Sequence, residues 1–148
     1  MKNSLNQFAI YIAHQFDVKL LPTNKQNGSV DLIISKDGNG DIGLTSENNE
    51  ITVYGLGGHQ HFYSSTNDIE EILGMKVKII SLIKNLIDGK IGNAEFYKEN
   101  GEAIGGGFIE FNNNCISVNS IMDGAFKIII CLYKYRRYEM DKEGKVIM

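Results

Sequence analysis

The chain has 148 residues, room for one domain with a proper core, and its composition of 43% hydrophobic and 22% charged residues excludes collagen-like, disordered and low-complexity classes. Fifteen Lys and Arg against 18 Asp and Glu leave a net charge of −3, with a sequence pI near 5.6. Phosphate binding takes its affinity from cationic neutralisation, so this balance argues against wrapping duplex nucleic acid or coating an anionic membrane.

The start, Met1-Lys2-Asn3-Ser4, has no unbroken apolar stretch and no small-residue cleavage site, so a secretory signal is not expected. Leu5, Phe8, Ala9, Ile12 and Phe16 fall on one helical face, and Ser4 with Gln7 forms a capping box, which predicts an amphipathic helix near 4–17. Pro22 and the polar run Thr23 to Ser29 then read as a loop.

Strands follow. Val30 to Ser35 is rich in β-branched residues, Lys36 to Asp41 supplies turn residues, and Ile42 to Thr45 should return as the hairpin partner. Ile51 to Gly55 is a third strand after the turn Ser46 to Glu50, and His59 to Ser65 is expected to be extended. The longest element is a second helix. Asn67 with Glu70 marks its start, Asp68, Glu70 and Glu71 suit the positive end of its dipole, and Asp88-Gly89 ends it. Its apolar positions, Ile69 through Ile87, make more than a narrow stripe, so cover from both the sheet and the first helix is expected.

The remainder reads as antiparallel strands: Ala94 to Lys98, a turn at Glu99 to Glu102, Ala103 to Phe111, then Cys115 to Val118. A long strand from Ala125 to Met140 follows, central where Phe126 to Leu132 is apolar at both parities and running out to the sheet rim at Tyr133 to Tyr138. The expected fold is α+β, a single domain over 1–148, with a curved antiparallel β-sheet of about seven to nine strands and two helices packed on it.

Compartment follows from what is missing. The longest apolar run, Ile128 to Tyr133, has six residues, far short of the ~18 that a membrane span requires. Cys115 and Cys131 are too few for a disulfide framework, so a reduced, cytoplasmic protein is expected, with no membrane partner. Abundant Ile (21) and Asn (15) with scarce Ala (5) and Pro (1) is the bias of an AT-rich coding sequence and suits a bacterium.

Each candidate motif competes with a plainer account. Ser35 to Ile42 matches the first eight positions of a calcium loop, but the loop should open on a carboxylate where Ser35 stands and close on a bidentate glutamate where Ser46 stands. A hairpin turn is the simpler reading. His59 and His61 share one side of an extended chain, as two zinc ligands would, yet the only other histidine, His14, belongs to the first helix. The glycines of Gly55-Leu56-Gly57-Gly58 and Gly105-Gly106-Gly107 lack the helix start and Gly-Lys-Ser/Thr of a phosphate loop, and the triple glycine suits a bulge, a bend or close packing. Neither a metal nor a cofactor is indicated, and no catalytic residues stand out.

The charge is unevenly distributed. Residues 1–30 carry +2, residues 31–71 carry −7 and residues 72–148 carry +2. The acidic middle holds Asp37, Asp41, Glu47, Glu50, Asp68, Glu70 and Glu71, which are the candidate partner-binding residues, with Tyr54 and Tyr63 as aromatic anchors. Two other readings stand beside it. One is a small-ligand-binding or enzymatic α+β domain with a pocket near His59, His61 and Tyr63. The other is RNA contact through Lys134, Arg136 and Arg137, interleaved with Tyr133, Tyr135 and Tyr138, which the negative net charge disfavours.

In size, acidity and β-rich architecture, with hairpins such as Asp37-Gly38-Asn39-Gly40 and Glu99-Asn100-Gly101-Glu102, the chain resembles the immunity proteins that accompany bacterial polymorphic toxins, including those of contact-dependent growth inhibition. The resemblance implies a non-enzymatic inhibitor that binds and neutralises one cognate toxin, often a nuclease, by covering its active site. A nuclease presents a basic cleft to phosphates, and a −7 segment would be steered to it.

Overall fold

The computed structural model describes residues 11, 14, 19–24, 30–35, 42–47, 50–63 and 69–147. The chain divides into two compact units, one formed by residues up to 55 with 59–84, the other by residues 56–58 with those from 85 onward.

The first unit holds a meander of β1 (Lys19–Asn24), β2 (Val30–Ser35), β3 (Ile42–Glu47), β4 (Glu50–Gly55) and β5 (Gly58–Tyr63), in the order β1-β2-β3-β4-β5. The first three pairings are antiparallel, with Leu20 opposite Ile34, Leu32 opposite Leu44 and Leu44 opposite Val53. The β2–β3 pairing fits the hairpin expected around Lys36 to Asp41, which itself lies outside the described residues. Pro22, expected in a loop, sits in β1 instead, opposite Leu32. A proline is tolerated there because β1 is the edge strand among the described strands of this sheet.

Period-two burial is plain where β3 and β4 pair. Ile42, Leu44, Ile51 and Val53 are buried, while Thr45, Thr52 and Tyr54 are only half-buried.

The helix α1 (Ile69–Ile87) carries Glu70 and Glu71 in its first turn. It buries Met75, Ile79, Leu82, Ile83 and Leu86 along one stripe, while Leu73 and Val77 remain 55% and 65% exposed. These two side chains therefore face out; the first helix expected to cover part of this surface lies almost entirely outside the described residues. The end of α1 is a Schellman cap. Gly89 N–H donates to the Leu86 carbonyl at 3.2 Å, Lys90 N–H to the Asn85 carbonyl at 2.8 Å, and Gly89 takes φ 73°. The first expected helix, near 4–17, lies outside the described residues except for Tyr11 and His14, both helical and exposed. No described helix is long and apolar enough to cross a membrane.

The second unit holds β6 (Ile91–Tyr97), β7 (Ala103–Glu110), β8 (Lys127–Leu132) and β9 (Arg136–Met140), in the order β7-β6-β8-β9 with every pairing antiparallel. The α+β class holds, but the strands form two sheets of five and four in place of one curved sheet. Almost every strand finds its partner nearby in sequence, so the helix after β5 separates the pairings into two sets.

The long strand expected from Ala125 to Met140 is a hairpin. Tyr133–Tyr135 reverse the chain with Lys134 at φ 66°, and β9 returns along β8 so that Arg137 lies opposite Cys131. No glycine or proline marks the reversal; a lysine adopts the left-handed conformation. Likewise, where a strand was expected from Cys115 to Val118, Cys115 makes only isolated bridges, to Asn112 and Lys145, and Val118 opens the 3-10 turn Val118–Ser120.

One face of this sheet is core: Ala94, Phe96, Ile128, Ile130, Leu132 and Met140 cluster with Phe111 and Ile116. Each large side chain there contributes roughly 1.5–3 kcal/mol by burial. The triple glycine serves the packing. A Cβ on Gly106 would strike the Ala94 carbonyl oxygen, Met122 covers Gly105, and the pairing register shifts beside it between Phe96 and Tyr97.

Candidate functional site

The polar face of the first sheet gathers several of the expected residues. On β4, Glu50, Thr52 and Tyr54 alternate with buried Ile51 and Val53; on β5, His59, His61 and Tyr63 are exposed while Phe62 is buried. His61 Nδ1 lies in close polar contact with the Glu50 carboxylate. The Thr52 hydroxyl donates to Glu50 Oε1 at 3.3 Å and lies 2.9 Å from His61 Nδ1. The rings continue the row, with His59 edge-on to His61 at 4.9 Å and His61 stacked on Tyr63 at 6.1 Å. Tyr63 is 66% exposed.

The expected set is divided by this arrangement. Tyr54 is half-buried, its ring lying over its cross-strand partner Gly43 so closely that a Cβ there would run into it. Glu47 opposes Glu50 in the backbone register, and Glu50 is engaged by His61. Glu70 and Glu71 are exposed on the first turn of α1, at the positive end of its dipole. Asp37, Asp41 and Asp68 lie outside the described residues. Among the described residues no three His, Cys, Asp or Glu side chains come together as metal ligands.

No protein-family model, curated protein or solved structure matches the chain. Its chemistry is therefore read from its own residues.

A second polar constellation escaped the sequence reading. On the face of the second sheet opposite the core, Asn93 on β6, Cys131 on β8 and Arg137 on β9 lie directly opposite one another across three strands. Glu95 and Ile129 form the next row. Above them sits the turn Leu56-Gly57, whose two residues have φ 57° and 86°, the pattern of a tight two-residue hairpin turn. Left-handed backbone costs a leucine about 1–2 kcal/mol; here the Leu56 side chain is buried, which offsets that cost.

Between turn and sheet is a cavity of about 170 Å³, floored by Ile129 and Cys131 and reached by Asn93, Glu95 and Arg137. Every lining residue belongs to the second unit. His59, His61 and Tyr63 take no part in lining it, so this cavity is not the pocket expected beside them.

Asn93 is 4% exposed, and its Nδ2 donates to the Leu56 carbonyl at 3.3 Å. The Tyr97 hydroxyl donates to Glu95 Oε2. That hydrogen bond holds the phenol above its ordinary pKa; burial and the Glu95 charge act in the same direction, and the Arg137 charge opposes them. Neither Cys115 nor Cys131 is in a disulfide.

The cations considered for RNA contact diverge. Arg136 and Arg137 are successive residues on a strand and so face opposite ways. The Arg136 guanidinium lies against Gly89 at the end of α1, and Arg137 lines the cavity. Lys134 sits in the reversal between β8 and β9.

The alternation Asn93, Glu95, Tyr97 was available in the sequence as the polar face of a strand. That Arg137 joins them was not, because it depends on the reversal at Lys134.

Proposed function

We propose that the chain is an immunity-type inhibitor that binds a cognate protein toxin carrying a basic cleft, in the manner of a nuclease domain, and covers that cleft with the polar face of its first sheet and the acidic start of α1. The observation that carries this reading is the ordered row of Glu50, His61, His59 and Tyr63 on an exposed strand face. These side chains hold one another before a partner arrives, which lowers the ordering cost of association. Exposed aromatic side chains of this kind are the usual anchors of protein interfaces, and Glu70 and Glu71 add the negative field that steers a basic partner. The Glu50 carboxylate acts mainly within this row, since His61 already holds it.

The test is to express the product of the neighbouring upstream reading frame with and without this chain. Toxicity alone, neutralisation on co-expression and a co-purifying complex are expected. Within that complex, Tyr63→Ala should cost about 1–3 kcal/mol of affinity, and E70K/E71K should slow association with a reduced dependence on salt. A harmless neighbour with no co-purifying partner overturns the reading. A complex indifferent to all three substitutions removes the surface assigned to it.

A further inference from the structure

We propose that the cavity of the second unit is a binding site for a small zwitterion, a free amino acid carrying one ammonium and one carboxylate group. The site is separate from the toxin-binding reading, sharing no residue with it. At about 170 Å³ the cavity is the size of roughly five or six water molecules. That suits a compact metabolite.

Its charge selects the ligand. Arg137 and Glu95 both line the space, and no ion pair joins them among the described residues. A simple anion drawn to Arg137 would meet the Glu95 carboxylate, and a simple amine drawn to Glu95 would meet the guanidinium. A molecule bearing both charges satisfies both. The planar guanidinium of Arg137 matches a carboxylate through two parallel hydrogen bonds.

The ammonium has an acceptor waiting in Glu95. Glu95 Oε2 takes the Tyr97 hydroxyl, while Oε1 is directed to the Gly57 side, 3.9 Å from where a Cβ on Gly57 would stand. Asn93 gives its Nδ2 to the Leu56 carbonyl and turns its Oδ1 against Gly58, outside the lining, so it holds the turn over the cavity and leaves the ammonium to Glu95. Leu56 and Ile129 offer apolar contact to a short side chain. Gly57, lacking a Cβ, leaves the space beside Asn93 and Glu95 open.

The experiment is ligand-detected NMR and thermal shift on the full chain with glycine, alanine, serine and 4-aminobutanoate. Each is compared with its matched monocarboxylate and matched monoamine. At least one amino acid should bind at ~10 mM or below, about tenfold or more ahead of both one-charge analogues. R137M, at an exposed position, should lose the advantage over the monoamine, and E95Q the advantage over the monocarboxylate. K142M, also exposed and away from the cavity, should bind as the parent does. The proposal is overturned if no amino acid in the series binds, if a one-charge analogue binds as tightly as its parent, or if R137M leaves binding unchanged.

Discussion

Replacing Asn93 by Asp changes one atom pair at a site 4% exposed, and its effect on stability should depend on pH in a defined direction. In the native protein Nδ2 donates to the Leu56 carbonyl at 3.3 Å, fixing a turn whose first residue is a left-handed leucine. N93A deletes that donor and strands the carbonyl, at a cost of about 1–3 kcal/mol. N93D does more at neutral pH, placing a carboxylate against the carbonyl oxygen and in the same cavity as Glu95. An enclosed charge of this kind costs up to about 3–5 kcal/mol, less what Arg137, lining the same cavity, offsets.

Once protonated, the new carboxyl regains a donor and most of the loss is restored. Its folded pKa is therefore raised above the unfolded value near 3.9. Native-level stability is present below the unfolded pKa and is lost as pH rises through the folded pKa. Urea unfolding of N93D and the parent from pH 4 to 8, with amide exchange of β6 and β8 as a local readout, gives the difference directly. The gap should widen by about 2 kcal/mol or more across that range. A gap independent of pH, or an N93A variant within about 0.5 kcal/mol of the parent, would refute the role given to this hydrogen bond.

Core and outer faces of β8 should separate cleanly. Ile130→Ala removes three carbons from a fully enclosed position, worth about 2.4 kcal/mol in transfer plus a cavity term, so about 3–4 kcal/mol in all, whereas half-buried Ile129→Ala should cost about half that or less in the same urea series. Equal losses would contradict the assignment of faces. Tyr97 should be among the last tyrosines to ionise in an absorbance titration, and E95Q should lower its midpoint because the hydrogen bond to Glu95 is the chief cause of its shift. Since that pKa is raised on folding, the associated stability is present below the unfolded phenol pKa and disappears as pH climbs through the folded one. Lys134→Gly should leave stability unchanged or raise it by up to about 1 kcal/mol, because relief of the left-handed backbone exceeds or matches the added freedom of the unfolded chain; a loss beyond ~1 kcal/mol would show that the lysine side chain holds the reversal.

Local signals carried most of the fold. Runs of β-branched and aromatic residues bounded by turn residues located β2, β3, β4 and β6, and Asp88-Gly89 marked the end of α1, where Gly89 indeed closes a Schellman cap. Signals that depend on distant partners were silent. Pro22 reads as a breaker until its strand is known to be an edge, and Leu73 and Val77 read as core until the buried stripe of α1 is seen beside them. The hardest case is Tyr133 to Tyr138, where a turn is made by a lysine in a conformation that its side chain disfavours. Of the expected binding residues, Tyr63 stands exposed. Glu50 is engaged by a histidine that sequence spacing placed near it only through the β4–β5 pairing, and Tyr54 lies over a glycine. Asn93 and Glu95 were legible as a polar strand face, but Arg137 became their neighbour only through the chain reversal.

That reversal also sets the phase of β9. Arg137 looks into the cavity and Tyr138 lies with the core because Cys131 pairs with Arg137 and Ile130 with Tyr138. Slip β9 by one residue against β8, and the two side chains exchange sides: an arginine enters the apolar interior and a tyrosine blocks the cavity. A slip of two returns each to its own side. A residue added to the turn is harmless where the turn absorbs it and the ladder keeps its partners, whereas one that passes into β9 needs a bulge there to restore the phase.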